Sequence, residues 1–265
     1  KHVFIEKPIT LCPQELIKLI ELESKHPKQI CMVGYMRRFA QGFLKCQELL
    51  MTDQREIEYM RFRDIILEGD FYISQTKQPF IPQDIDQALI TESAKRRREQ
   101  IELALGEDCT EQQRISYQML TGLGCHTLSA VRELVGLPLE IKSVAVQGEH
   151  LIVIFRFDGF LGLYEIVNDQ EIVQFDATIE IYQHNRYMKI KHETPYLRYQ
   201  PHNFVVVDSN KKETQKTIYG PDYHDSFETE VKHFFEYVKN GKKPKTSFED
   251  SLEDLNLFKL ICEII

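Results

Sequence analysis

Three short stretches carry residue types that could do chemistry. The first is Glu6-Lys7-Pro8, directly after the apolar run Val3-Phe4-Ile5. The run reads as a buried strand, and Pro8 fixes its own φ and keeps Lys7 out of helical geometry. The strand therefore ends in a stiff corner with a carboxylate and an amine at its tip, where ligands of open α/β sheets collect. A lysine held there is a candidate acid/base; taken alone it reads equally as a surface amine before a turn. The second stretch is Gly34-Tyr35-Met36-Arg37-Arg38-Phe39, past a second apolar run. Two arginines at a strand end could clamp an anion or a polar substrate, or be solvated charge at a helix start. The third is Gly122-Leu123-Gly124-Cys125-His126, opening an apolar helix. A helix N-terminus disfavours the cationic imidazole, leaving a neutral ring able to accept a proton; a hydrogen-bonded structural histidine is the other reading.

The elements that must position these residues follow from pattern. Pro13 to Lys25 has helical spacing, with Thr10 or Cys12 ahead of it and Pro13 suited to a first turn. Gln29 to Val33 is a short apolar strand ending at Gly34. Strand, helix and strand make a right-handed βαβ unit. A helix is expected over about Arg38 to Met51. Glu56 to Ile66 alternates as a strand, with Tyr59, Arg61 and Arg63 on one face and Met60, Phe62 and Asp64 on the other. Thr91 to Leu105 is helical up to Gly106, and its run Lys95-Arg96-Arg97-Arg98 reads as a solvated face. Residues 117 to 135 are helical, with a Gly122-x-Gly124 interruption.

From Ile141 the texture becomes strands. Asp158-Gly159 and His184-Asn185 mark two hairpins, and Phe204 to Val207 and Thr214 to Tyr219 add two strands, implying one large antiparallel sheet. Asp225-x-x-Glu228 caps a helix whose apolar face is Phe227, Val231, Phe234 and Val238. Ser247 to Ile265 is the last helix. The chain starts inside a strand pattern, without Met, which implies a piece of a longer protein with the missing part before Lys1.

Composition narrows the function classes. The chain has 265 residues, 42% hydrophobic and 28% charged, which fits a folded globular protein. Its net charge of -8 and pI near 5.7 argue against nucleic acid and anionic membranes as partners. The six cysteines are scattered with no C-x-x-C pair, so free thiols in a reducing, cytoplasmic setting are expected, with no metal site.

Taken together, Glu6-Lys7-Pro8, Gly34 to Phe39, His126, the Phe227-Glu228…Phe234 helix and the closing Gly241 to Pro244, Ser247 segment resemble the Gfo/Idh/MocA oxidoreductases, the family of glucose-fructose oxidoreductase and myo-inositol dehydrogenase. The resemblance spans the chain. It implies an α/β plus α+β fold: residues 1–35 as the C-terminal remnant of a Rossmann nucleotide-binding domain, and 36–265 as an α/β domain with a large, mainly antiparallel open sheet and an insertion over about 69–115. It implies NAD or NADP as cofactor, a sugar, polyol or related small molecule as substrate, and a homo-oligomer, such as a dimer, joined through the sheet. Lys7 would stabilise the alkoxide and His126 would move the hydroxyl proton. Glu6, Lys7, Pro8 and Arg37 would contact the cofactor; Arg38, Gln118, His126 and Tyr223 would contact the substrate. There are departures from the family pattern. Gly122 stands where an Asp often precedes the His by four residues, and no G-x-G-x-x-G phosphate cradle occurs. The missing Asp and the basic insertion favour, as the alternative, a non-catalytic ligand sensor or regulatory protein on the same fold. A dimerising structural domain without ligand is a third reading.

Overall fold

The structure is a computed structural model, and it describes residues 1–53, 55–66, 70–76, 80–168 and 174–265. Strand β1 (Val3–Glu6), helix α1 (Pro13–Ser24) and strand β2 (Cys31–Gly34) form the expected βαβ unit, with β1 and β2 parallel and Glu6 in register with Gly34. Pro13 opens α1 as expected. The burial expected of β1 does not hold. β2 is buried throughout, with α8 packed on it and its Val33 N–H bonded to the Thr246 carbonyl, but on β1 Val3 is 40% and Ile5 36% exposed.

The helix expected from Arg38 begins instead as a 3-10 turn over Met36–Phe39, breaks at extended Ala40, and resumes as α2 (Gln41–Thr52). The tight turn sends the adjacent Arg37 and Arg38 guanidinium groups to different acidic partners. Strand β3 (Ile57–Ile66) follows, then α3 (Asp70–Thr76) and α4 (Gln87–Leu105). Residues 69 and 77–79 of the expected insertion lie outside the described residues. Helix α4 starts four residues earlier than its periodicity suggests, because Asp86 caps it through the Ala88 N–H at 2.8 Å. Its first half is exposed on every side, and only Ile101 and Ala104 near its end are fully buried. The basic run is solvated as expected and pairs along its own helix: Arg96 with Glu92, Lys95 with Glu99, Arg98 with Glu102.

Helix α5 (Glu111–Met119) runs without a break through a π-helical turn, Leu120–Gly124, into α6 (Cys125–Val135). Its early start comes from a capping box, Thr110 with Gln113, that the apolar periodicity does not reveal. Then come β4 (Glu140–Gln147), β5 (His150–Arg156), β6 (Leu161–Asn168), β7 (Phe175–Gln183), β8 (Arg186–His192), β9 (His202–Ser209) and β10 (Thr214–Asp222). Both hairpins turn where expected, at left-handed Gly159 and Asn185. With β3 the seven make one eight-stranded sheet, ordered β10-β9-β8-β7-β3-β6-β5-β4, in which β3 and β6 are parallel and every other pair is antiparallel.

Helices α2 and α6 cover one face of this sheet. Met60 and Phe62 of β3 point into that core with Phe155, Tyr164 and Ile179. The other face carries an aromatic trio, Tyr59, Tyr182 and Tyr187, and a charge ladder of Arg61–Glu165, Arg63–Asp176 and Lys189–Glu180. The chain ends in α7 (Ser226–Asn240) and α8 (Phe248–Cys262), capped by Asp225 and Ser247. Helix α7 turns Glu230 inward rather than Val231, which is exposed, because it packs against the 3-10 turn and sets Phe234 against Phe4. Among the described residues no helix is long and apolar enough to cross a membrane, no cluster of side chains could hold a metal ion, and the six cysteines are free and buried.

Candidate active site

Lys7 follows the last residue of β1, so the parallel pair delivers its side chain to the carboxyl edge of the β1–β2 sheet. There the half-buried ammonium donates to the backbone carbonyl of Gly122, 115 positions away in sequence. That carbonyl belongs to the π-helical turn, in which the backbone ladder is locally re-spaced, a feature common at functional sites. The same turn needs Gly124: a Cβ there would stand 2.8 Å from the Tyr164 hydroxyl, so only glycine lets the helix lie this close to the sheet.

His126 is the second residue of α6, two positions after Gly124, and is 9% exposed. Its ring stays neutral, but not for the reason the sequence suggests. Gly124 is itself helical and α6 continues the preceding turn, so no free helix N-terminus points at the imidazole. Burial is the main force lowering its pKa well below the usual histidine range; the cationic Lys7 and Arg37 and the nearby His192 add to it. Its Nδ1 is buried and without a hydrogen-bond partner.

Thr127, the residue after His126, binds a fully buried carboxylate, Asp64. Asp64 Oδ1 accepts from Arg37 Nη1 at 2.5 Å and from the Thr127 hydroxyl at 2.9 Å, and Oδ2 accepts from the Tyr164 hydroxyl at 3.0 Å. Arg37, expected to contact the cofactor, thus has its guanidinium committed to this carboxylate. It is buried and tied to Asp64 and Thr127. Arg38, expected against substrate, lies in another buried network with Glu133, Asp250 and the Lys245 carbonyl, which fastens the 3-10 turn to α6 and α8.

No family model matches the chain. The inositol 2-dehydrogenase of Salmonella paratyphi B is 30% identical over 93 residues, 35% of this chain and 26% of that protein. The inositol 2-dehydrogenase/D-chiro-inositol 3-dehydrogenase of Halalkalibacterium halodurans is 34% identical over 50 residues, 19% of this chain and 14% of that protein. The chain thus spans about a quarter or less of the length of these relatives. Solved structures align over nearly all of it. A dehydrogenase (MviM) from Clostridium difficile gives a TM-score of 0.66 at 14% identity, covering 100% of this chain and 71% of that one. KijD10, a 3-ketoreductase from Actinomadura kijaniata solved with NADP and TDP-benzene, gives 0.64 at 15%, covering 97% and 69%. The myo-inositol 2-dehydrogenase of Lactobacillus plantarum gives 0.63 at 18%, covering 99% and 70%. The chain has the Gfo/Idh/MocA fold.

Within this fold the remaining expected residues fall as follows. Glu6 is exposed beside Gly34, with its carboxylate 3.4 Å from where a Gly34 Cβ would stand. Pro8 is half-buried next to Lys7. Gln118 is exposed one helical turn before Gly122, on the same side of the helix. Tyr223 is 58% exposed in the segment between β10 and α7 and is not drawn into the Lys7–His126 cluster.

Three functional candidates lie outside the residues named from sequence. Asp64 was legible, since the alternation of β3 puts it on the same face as Met60 and Phe62. Glu230 was legible too: it sits three residues after Phe227 and four before Phe234, on the apolar stripe of α7. It is buried behind the corner with Oε1 unpartnered. Burial, and next the charge of Glu6, push its pKa up to about 8. His192 ends β8, one residue beyond the alternation that could be read.

Gly122 tests how the departure from the family pattern is tolerated. A Cβ at that position meets nothing within 4 Å. Gly122→Asp should therefore fold with a stability change within about 1 kcal/mol. Its carboxylate, four residues before His126, favours the imidazolium and should raise the His126 pKa relative to wild type. NMR titration of the ring reads this directly, and an unchanged His126 titration refutes the placement.

Proposed function

We propose that the protein is an NAD(P)-dependent oxidoreductase that moves a hydride between a nicotinamide cofactor and a hydroxyl or carbonyl carbon of a sugar, polyol or related small molecule. The observation that carries this reading is the meeting of Lys7 and a neutral, buried His126 at the carboxyl edge of a parallel strand pair. Residues 1–35 act as the last part of a nucleotide-binding domain, and 36–265 as the domain that presents the substrate to it.

The residues present fit the nicotinamide end of such a cofactor: an exposed Glu6, Lys7 and Pro8 would line it, and His126 offers an unpartnered ring nitrogen. The chain has no glycine-rich cradle for the phosphates. When bound, the cofactor supplies the hydride acceptor. Lys7, held by the Gly122 carbonyl, presents its positive charge to the oxygen that becomes alkoxide-like. His126 accepts the hydroxyl proton, and its low pKa keeps it ready to do so at neutral pH. Arg37 and Asp64 hold Thr127, the residue after His126. The same reading gives the uncovered sheet face, with its tyrosines and with exposed Ile152 and Ile154, as the surface for self-association.

The test is reduction of NAD and of NADP by the protein with myo-inositol, glucose and sorbitol, followed through the absorbance of the reduced nicotinamide. Cofactor-dependent turnover of at least one is expected. Cofactor binding with no turnover on any of them would favour a ligand sensor on the same fold.

A further inference from the structure

Strand β8 ends at His192, and residues 193–201 fold back before β9 begins at His202. Between this segment, the 3-10 turn and the start of α7 lies a cavity of about 30 Å³ whose walls include Arg37, His192, Thr194, Tyr199, His202 and Asp225. Such a volume holds one or two water-sized groups. His192 is 3% exposed and its Nε2 has no hydrogen-bond partner; His202 Nδ1 is also buried and unpartnered. Unsatisfied nitrogens in a dry wall are costly, about 1–3 kcal/mol each, so an apolar occupant is disfavoured.

The charges on the wall are already spent. Arg37 is paired with Asp64 at 2.5 Å, and Asp225 with Arg198 at 2.6 Å while it also caps α7. Glu193, on the rim, is paired with Lys191 at 2.8 Å. Among the described residues no cation on the wall is left over for a phosphate or carboxylate, and a volume of about 30 Å³ is too small for a phosphate. Tyr199 lines the cavity from a left-handed conformation, φ 56°, that bulky side chains rarely adopt, and is itself 59% exposed. The cavity adjoins the His126 segment: Arg37 on its wall donates to the hydroxyl of Thr127, the residue after His126, at 2.7 Å, and its charge acts on both His126 and His192.

We propose that this cavity is a recognition subsite for a hydroxyl or hydroxymethyl group of the substrate, with His192 Nε2 as its hydrogen-bonding partner, so that the protein takes a neutral polyhydroxylated compound and rejects one carrying phosphate or carboxylate at that end. The inference rests on the reading that Lys7 and His126 act on a neighbouring C–OH carbon. His192 would then determine specificity without touching the reacting atoms.

Wild type, His192→Leu and His192→Gln are compared with myo-inositol, glucose and sorbitol, each beside its monophosphate. Turnover is measured with NAD and NADP, and binding by calorimetry with cofactor present. Leu removes the ring nitrogen and should raise KM for the preferred neutral compound about tenfold or more, with kcat changed less than threefold. Gln places an amide near the Nε2 position and should restore KM to within threefold of wild type. The monophosphates should neither bind nor compete. If the Leu variant fails to fold, His192→Asn, polar but one bond shorter, should show the same loss. An unchanged KM in the Leu or Asn variant, or a monophosphate that binds as well as its parent, overturns the subsite and leaves hydride transfer standing. Binding of the neutral compound that is lost in the Leu variant, with no turnover by wild type, keeps the subsite and removes hydride transfer. Neither binding nor turnover by wild type overturns both.

Discussion

Lys7→Ala is expected to lower turnover of the preferred hydroxyl substrate by about 10²–10³-fold, the loss typical of removing one preorganised donor to a developing oxyanion. The fold should persist. The ammonium is half-buried and gives its hydrogen bond to the Gly122 carbonyl at the margin of the molecule, so the unfolding free energy should change by about 1 kcal/mol or less. Lys7→Arg should not restore the rate, because a planar guanidinium cannot occupy the place of a compact ammonium. A second signature separates this role from a merely structural one. Lys7 is one of the cations that hold the His126 pKa down. Removing it lets that pKa rise, so the neutral ring is lost at higher pH than in wild type. The acid limb of the residual activity should therefore shift upward in pH. Turnover within threefold of wild type would remove Lys7 from the mechanism; a large loss with an unmoved acid limb would place Lys7 away from His126.

Asp64→Ala should destabilise the protein by about 3–5 kcal/mol, the range for breaking a buried ion pair from one side. Arg37 is almost wholly buried, and the substitution leaves its charge without a counterion while the hydroxyls of Thr127 and Tyr164 each lose an acceptor. The double variant Asp64→Leu with Arg37→Met removes both charges and should lose much less than the sum of the two single changes. Urea unfolding of wild type, Asp64→Leu, Arg37→Met and the double variant closes the cycle. Additive losses would show that Asp64 and Arg37 do not act as a pair.

Much of the architecture was readable from local pattern. The βαβ opening, both hairpins, the Asp225 and Ser247 caps and the wide antiparallel sheet follow from period, turn residues and capping chemistry that involve only neighbours in sequence. The failures share one cause. Whether β1 is buried, where Arg37 and Arg38 send their charges, and why His126 is neutral all depend on partners far away along the chain. Arg38 illustrates this: a pair of arginines after a strand reads as a clamp, yet its acids, Glu133 and Asp250, come from helices 95 and 212 positions later. The π-helical turn had no signal beyond its glycines. Asp64 and Glu230 were visible as polar residues on apolar faces, a mismatch that marks a buried charge whether or not its partner can be named.

The fastening of the 3-10 turn also dictates an order of assembly. Strand β2 donates its Val33 N–H to the carbonyl of Thr246, and Lys245 caps the Arg38 carbonyl. During synthesis the first strands leave the ribosome long before these closing residues exist. The Val33 N–H and the Asp250 side of the Arg38 guanidinium therefore wait unsatisfied until Thr246 and Asp250, the latter 212 positions beyond Arg38, have been made, whereas Arg37 meets Asp64 much earlier. Such long-range closure slows folding.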